Sequence, residues 1–187
     1  MKVGIVGFGK MGKLFAEKFS EKCSINVYTK GLDPGQYMVY DDLQNFYHSS
    51  KYIMISTPMN ETKKLIMELS AFSSEEKRIV FDICSFKTGL KEVYASLSEH
   101  NHVCSVHPMF GSGVSTLTNK NVILTPMNPR EEDIFLVENF FKDFGMNVTR
   151  LDPHNGCIAG RGSPGRSPGG RRGGRSGPGG SGRPISG

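Results

Sequence analysis

The chain has 187 residues, enough for one domain of ordinary size and a modest extension. Its 23 Lys and Arg exceed its 18 Asp and Glu, but six arginines and no acid fall after Asn155 (Arg161, Arg166, Arg171, Arg172, Arg175 and Arg183), leaving 17 basic against 18 acidic residues before it. The body therefore gives no electrostatic reason to expect nucleic acid or membrane as a partner, and the formal +5 belongs to the C-terminal segment.

Lys2 to Gly7 is a short β-branched apolar run ending in glycine and predicts a buried strand. Lys10 to Lys22 places Met11, Leu14, Phe15 and Phe19 on one helical face. Ser24 to Thr29 predicts a second strand, Leu32-Asp33-Pro34-Gly35 a turn and Met38 to Tyr40 a short third strand. Asp41 to His48 predicts a short helix with an acid at its start. Lys51 to Ser56 is another buried strand, stopped by Pro58, and Asn60 to Phe72 a helix capped by Asn60. Then follow a strand over Arg78 to Ile83, a helix over Thr88 to Leu97, a strand over Val103 to Val106 and a loop from His107 to Thr118. Asn121 to Thr125 predicts a strand, Glu131 to Phe144 an amphipathic helix with Glu131-Glu132-Asp133 as its solvated first turn, and Met146 to Leu151 a last strand.

Near-continuous apolar strands alternating with helices imply a doubly wound α/β fold of Rossmann type, a mostly parallel sheet with helices on both faces. It spans residues 1–152. Residues 153–187 are rich in Gly, Arg, Ser and Pro and too poor in apolar side chains to offset chain entropy, so they are expected to be disordered.

Gly7-Phe8-Gly9-Lys10-Met11-Gly12 is G-x-G-x-x-G. Alone it is a weak signal; after a strand and before a helix it fits a phosphate cradle. Gly7 permits the tight turn, Gly9 lets the backbone approach a pyrophosphate, and Gly12 lets helix and strand pack closely. The helix N-terminus offers free N–H groups to phosphate. About twenty residues on, where an NAD domain usually has an acid for the ribose diol, stand Tyr28-Thr29-Lys30. A hydroxyl and an ammonium suit the additional phosphate of NADP, which is the expected cofactor, with NAD the alternative.

Three further segments fall at strand C-terminal ends, where open parallel sheets bind ligands: Ser56-Thr57-Pro58-Met59, Asp82-Ile83-Cys84-Ser85-Phe86-Lys87 and His107-Pro108-Met109-Phe110-Gly111. The prolines hold Thr57 and His107 extended. Cys23, Cys84, Cys104 and Cys157 form no C-x-x-C pair and no zinc-like spacing. His102, Cys104 and His107 do not share one strand face and no carboxylate joins them, so no metal is expected. The apolar start is too short for a signal peptide and no run approaches the roughly 18 apolar residues of a membrane span, which makes the cytoplasm the expected compartment.

In this order the four motifs resemble prephenate and arogenate dehydrogenases over residues 1 to about 152; Asp-x-x-Ser-x-Lys followed by His-Pro-Met-x-Gly is the discriminating pair. The resemblance implies an oxidative decarboxylation in tyrosine biosynthesis: hydride passes from the ring carbon bearing the substrate hydroxyl to the nicotinamide, carbon dioxide leaves, and the ring becomes aromatic. It implies that His107 hydrogen-bonds and polarises that hydroxyl, that Ser85 lies by the histidine and the nicotinamide, and that Ser56 and Thr57, with Pro58, line the nicotinamide-ribose end. Lys87 either contacts substrate or caps the next helix. The resemblance further implies a homodimer built by an all-helical domain.

The Gly/Arg/Ser/Pro-rich sequence after Asn155 is not expected to form such a domain. A frame-shifted or shortened gene is the favoured explanation, beside an expression-derived tail or a Gly/Arg-rich segment that binds RNA. The expectation is a chain that binds NADP(H) but turns over weakly or not at all by itself. Two other functions compete with it: another small-substrate oxidoreductase, such as an imine or hydroxyacid reductase, and a non-catalytic NADP-binding module with an RNA-binding tail.

Overall fold

A computed structural model describes residues 1–31, 33–85 and 89–151. In chain order these form β1 (Lys2–Val6), α1 (Lys10–Phe19), β2 (Ser24–Tyr28), β3 (Met38–Tyr40), α2 (Leu43–Ser49), β4 (Tyr52–Ile55), α3 (Met59–Leu69), β5 (Ile79–Asp82), α4 (Leu90–His100), β6 (His102–Pro108), β7 (Asn121–Pro126), α5 (Glu131–Asp143) and β8 (Asn147–Arg150). The expectations for residues 153–187 and for Lys87 lie outside the described residues.

The strands form one sheet in the order β3-β2-β1-β4-β5-β6-β7-β8. All neighbours are parallel except β6 and β7. Helices α1, α3, α4 and α5 carry the chain across between the parallel pairs β1–β2, β4–β5, β5–β6 and β7–β8; residues 29–37 link β2 to β3 with no helix among their described residues, and the segment from Met109 to Lys120 turns β7 back against β6. The strand order reverses between β1 and β4, which opens a crevice beyond their C-terminal ends.

Side-chain alternation sends successive residues of each strand into two separate cores. Val3, Ile5, Met54, Phe81 and Val106 pack under α1 and α5, while Val6, Ile53, Ile55, Val80 and Val103 pack under α2, α3 and α4. The first core is aromatic: Phe19 meets Phe15, Phe140 and Phe144 at ring-centroid distances of 5.1, 5.0 and 4.7 Å, and Phe140 stacks on Tyr52 at 4.6 Å. Helices therefore cover both faces, as a doubly wound fold requires.

Several boundaries differ from the sequence reading. The strand expected over Val103 to Val106 runs to Pro108, so His107 sits in β6, opposite Ile123 of β7, and not in a loop. Pairing with β7 extends it. Helix α3 starts at Met59 behind Pro58, not behind an Asn60 cap, because proline fits a helix start without losing a needed N–H. Asp42, not Asp41, caps α2 by accepting from the Asn45 amide at 2.7 Å. The first turn of α5 is only partly solvated: Glu131 and Glu132 are exposed but Asp133 is fully buried.

Candidate functional site

The turn from β1 into α1 is built around two glycines. Gly7 has φ +90°, and a Cβ there would lie 2.7 Å from the Ser56 carbonyl oxygen. A Cβ on Gly12 would lie 2.2 Å from the Gly7 carbonyl oxygen, so the helix can approach the turn only with hydrogen at that position. Gly9 is different: nothing stands within 4 Å of the space a Cβ would take, which leaves its backbone open to a ligand.

Charge at the helix start fits the same use. Helix α1 has no side-chain cap and no acid in its first turn. The other four described helices have an aspartate cap (α2) or first-turn acids (α3, α4, α5) that answer their dipoles. The first N–H groups of α1 are thus left for an anion.

Beside this turn lies a cleft of about 320 Å³. It is lined by Gly7, Phe8 and Gly9 from the turn, Tyr28, Thr29 and Lys30 from the end of β2, and Ser56, Thr57 and Pro58 from the end of β4. Helix α3 adds Glu61, Lys64, Leu65 and Glu68. Of the expected cofactor residues, three stand apart from its lining. Lys10 is exposed on α1, Met11 packs on the aromatic core, and Gly12 is buried behind Gly7. A larger hollow of about 600 Å³, lined by His48, Ser73, Ser74, Glu75, Glu76 and Arg78, lies by the N-terminal ends of β4 and β5, away from the glycine turn. Volume alone would favour it; the open N–H groups and the strand-order reversal favour the smaller cleft.

Ser85 and His107 lie past the cleft at the same end of the sheet. Strands β5 and β6 are parallel, with Asp82 level with Ser105, so the register carries both chains on to Ser85 and His107 in the same direction. Ser85 is exposed and His107 half-buried. The turn under Ser85 is anchored by Asp82, which is fully buried. Its Oδ1 accepts from the Cys84 amide at 2.8 Å and its Oδ2 accepts from the Tyr94 hydroxyl at 2.9 Å. Burial, and then the neighbouring Asp82 carboxylate, push the Tyr94 phenol well above its ordinary range, so it stays a donor.

The carboxylate missing from the sequence reading of His102 is Asp133. His102 Nδ1 lies 2.8 Å from Asp133 Oδ1, while Asp133 Oδ2 accepts from the Val103 amide at 2.8 Å and from Asn128 Nδ2 at 2.6 Å. Arg130 reaches the same oxygen at 3.1 Å. This cluster ties α5 to β6 and is structural; among the described residues, no group of three or more His, Cys, Asp or Glu side chains is placed to hold a metal ion. Also among the described residues, no helix is long and apolar enough to cross a membrane.

Sequence reading missed the contribution of α3, although Glu61, Lys64, Leu65 and Glu68 recur at the spacing of one helical face and could have been found that way. Tyr94 had no such signal, since its position reads as ordinary core.

The model for the nucleotide-binding domain of prephenate dehydrogenase matches residues 32–150. The chain belongs to this family. Two structures of prephenate dehydrogenase from Aquifex aeolicus, one in complex with hydroxyphenyl propionate and NAD+, superpose with a TM-score of 0.66 at 25% and 26% identity. They match 82% and 81% of this chain, and the chain spans 60% and 61% of theirs. A reductive aminase from Aspergillus terreus in complex with NADPH4, cyclohexanone and allyl amine shares the fold alone, with a TM-score of 0.65 at 11% identity over 80% of this chain and 54% of its own. No curated protein matches the sequence.

Proposed function

We propose that residues 1–152 are the cofactor domain of a prephenate or arogenate dehydrogenase and that their cleft takes NADP(H) in preference to NAD(H). The observation that carries the reading is the placement of Ser85 and His107 past the end of the same sheet that opens, one strand pair away, into the cleft beside an uncapped, acid-free helix N-terminus. The fit to a dinucleotide rests on the turn itself: the space at Gly9 that a side chain would fill is open, while Gly7 and Gly12 bring backbone and helix together around it.

Each residue then has a task. Gly7, Phe8 and Gly9 present backbone to the pyrophosphate, and the first turn of α1, with Lys10 and Met11, supplies N–H groups. Gly12 lets α1 approach. Lys30 and Thr29, at the end of β2, meet the phosphate that distinguishes NADP from NAD. Ser56, Thr57 and Pro58 line the nicotinamide-ribose end. A bound oxidised nicotinamide supplies the hydride acceptor. On the substrate side, His107 holds the ring hydroxyl through its imidazole and receives its proton, and Ser85 bridges histidine and substrate by donating to one and accepting from the other. Asp82 and Tyr94 keep the turn that carries Ser85 in place.

The test is a titration of the purified chain with NADPH and with NADH, followed by nicotinamide fluorescence. NADPH should bind more tightly, and Lys30→Ala should remove about tenfold of that preference, as losing one charge-assisted contact would. Equal affinities in the unaltered chain would overturn the NADP assignment. Reduction of NADP+ with prephenate and with arogenate, run beside His107→Asn, tests the reaction. Turnover unaffected by that substitution would remove His107 from its proposed role.

A further inference from the structure

One buried hydroxyl joins the two loops that border the site. Thr62, in the first turn of α3, is fully buried. Its Oγ1 lies 3.0 Å from the Thr57 carbonyl oxygen, 2.9 Å from Thr57 Oγ1 and 3.5 Å from Cys84 Sγ. A threonine hydroxyl has one proton to give and two lone pairs to receive with. The Thr57 carbonyl can only accept, so the Thr62 proton goes to it. The short Oγ1–Oγ1 contact is then a hydrogen bond only when Thr57 is the donor, and the Cys84 thiol lies within reach of two acceptors, Thr62 Oγ1 at 3.5 Å and the Thr57 carbonyl oxygen at 4.0 Å. Thr62 thus gives one bond to the Thr57 carbonyl and receives one from the Thr57 hydroxyl.

The consequence falls on Thr57, which lines the cleft. Its only hydroxyl proton is committed to Thr62, so it offers the cleft lone pairs alone. We propose that Thr62 is a positioning residue that fixes Thr57 as a hydrogen-bond acceptor toward the bound dinucleotide. Thr57 then receives a donor group of the cofactor, a ribose hydroxyl, and is kept from binding a phosphate oxygen, which has no proton to give. Phosphate is left to the N–H groups of the α1 turn. Because the Cys84 thiol reaches both Thr62 Oγ1 and the Thr57 carbonyl, the loop that carries Ser85 is held in register with Thr57. The inference rests on the reading of this cleft as the dinucleotide site.

The experiment is a double-mutant cycle on the full chain, with NADPH as the probe and fluorescence titration as the readout. Thr62→Val keeps the branched shape and removes the hydroxyl; it should weaken NADPH about fivefold, and Thr57→Val should do the same. The double variant should be no weaker than Thr57→Val alone, since Thr62 acts through Thr57, and Thr62→Ser should restore the affinity. A merely structural Thr62 would lower the unfolding temperature and leave NADPH affinity unchanged, and that result, or additive losses in the double variant, overturns the proposal. If Thr62→Val does not fold, Thr57→Val decides: wild-type affinity there also overturns it. A wild-type chain that binds neither NADPH nor NADH removes the reading of the cleft itself, an outcome seen before any variant is made.

Discussion

Asp133 is the side chain on which most depends locally. It has no exposed surface, yet it receives an amide of β6, the His102 ring, Asn128 and Arg130. Burial pushes its carboxyl upward, but the Val103 amide and the His102, Asn128 and Arg130 contacts outweigh it and hold the group below its ordinary value. A depressed folded pKa means that the stabilisation is present above the unfolded value and is lost as pH falls through the folded one. Urea unfolding of wild type and Asp133→Asn should differ by about 3 kcal/mol near neutral pH, because the substitution breaks a buried charged cluster. The gap should shrink as pH drops below about 4. A gap that does not change with pH would show that the charge of Asp133 contributes nothing. Tyr94→Phe tests the other buried carboxylate. Removing the phenol leaves Asp82 Oδ2 without that donor and should cost about 1–3 kcal/mol, read as a lowered urea midpoint at unchanged slope.

At the scale of elements, the join between β1 and α1 is the sharpest constraint. The space around Gly12 is closed by backbone, not by a flexible side chain, so Gly12→Ala must push α1 away from the turn. We expect a stability loss of about 1–3 kcal/mol from overpacking together with loss of NADPH binding, measured by thermal unfolding and by titration. Retained affinity would show that the helix start is not where the phosphates sit. Gly9→Ala separates the two effects: with no atom near its Cβ position it should leave stability within about 0.5 kcal/mol and still weaken the dinucleotide. This junction was legible in the sequence because G-x-G-x-x-G is a local pattern: Gly12 answers a clash with Gly7 five residues before it, Gly7 takes the positive φ of the turn, and Gly9 leaves its backbone uncovered. The strand character of His107 was not legible, because it depends on a partner, β7, that approaches only after the chain has turned back. The burial of Asp133 was hidden for a similar reason. A first-turn acid is ordinarily solvated, and what covers this one comes from β6 and the segment before α5.

Across the whole molecule the two faces of the sheet do different work. The face under α1 and α5 is closed by interlocked phenylalanines, and Phe19 stands among four of them. Phe19→Ala should cost about 3–5 kcal/mol, seen in thermal or urea unfolding, since so large a buried ring leaves a cavity its rigid neighbours cannot fill. The other face carries α3 and α4, whose Thr62 and Tyr94 hydroxyls hold the loops at the edge of the site. Ligand binding should therefore be read by the whole fold: NADPH at about one hundred times its dissociation constant should add about 2.7 kcal/mol to stability. An unchanged unfolding temperature at such a concentration would exclude binding to the folded chain.

The element order, the doubly wound class, the glycine turn after β1 and the family motifs are legible in the chain alone, because apolar periodicity, proline and glycine act over a few residues and need no partner to be read. Folding in three dimensions set the rest: that β7 runs against β6, that Asp133 is buried under His102, and that Thr62 and Tyr94 support the loops beside the cleft. Each of those depends on which side chain meets which across a sheet or between a helix and a strand end, and such meetings are set by packing between segments far apart along the chain.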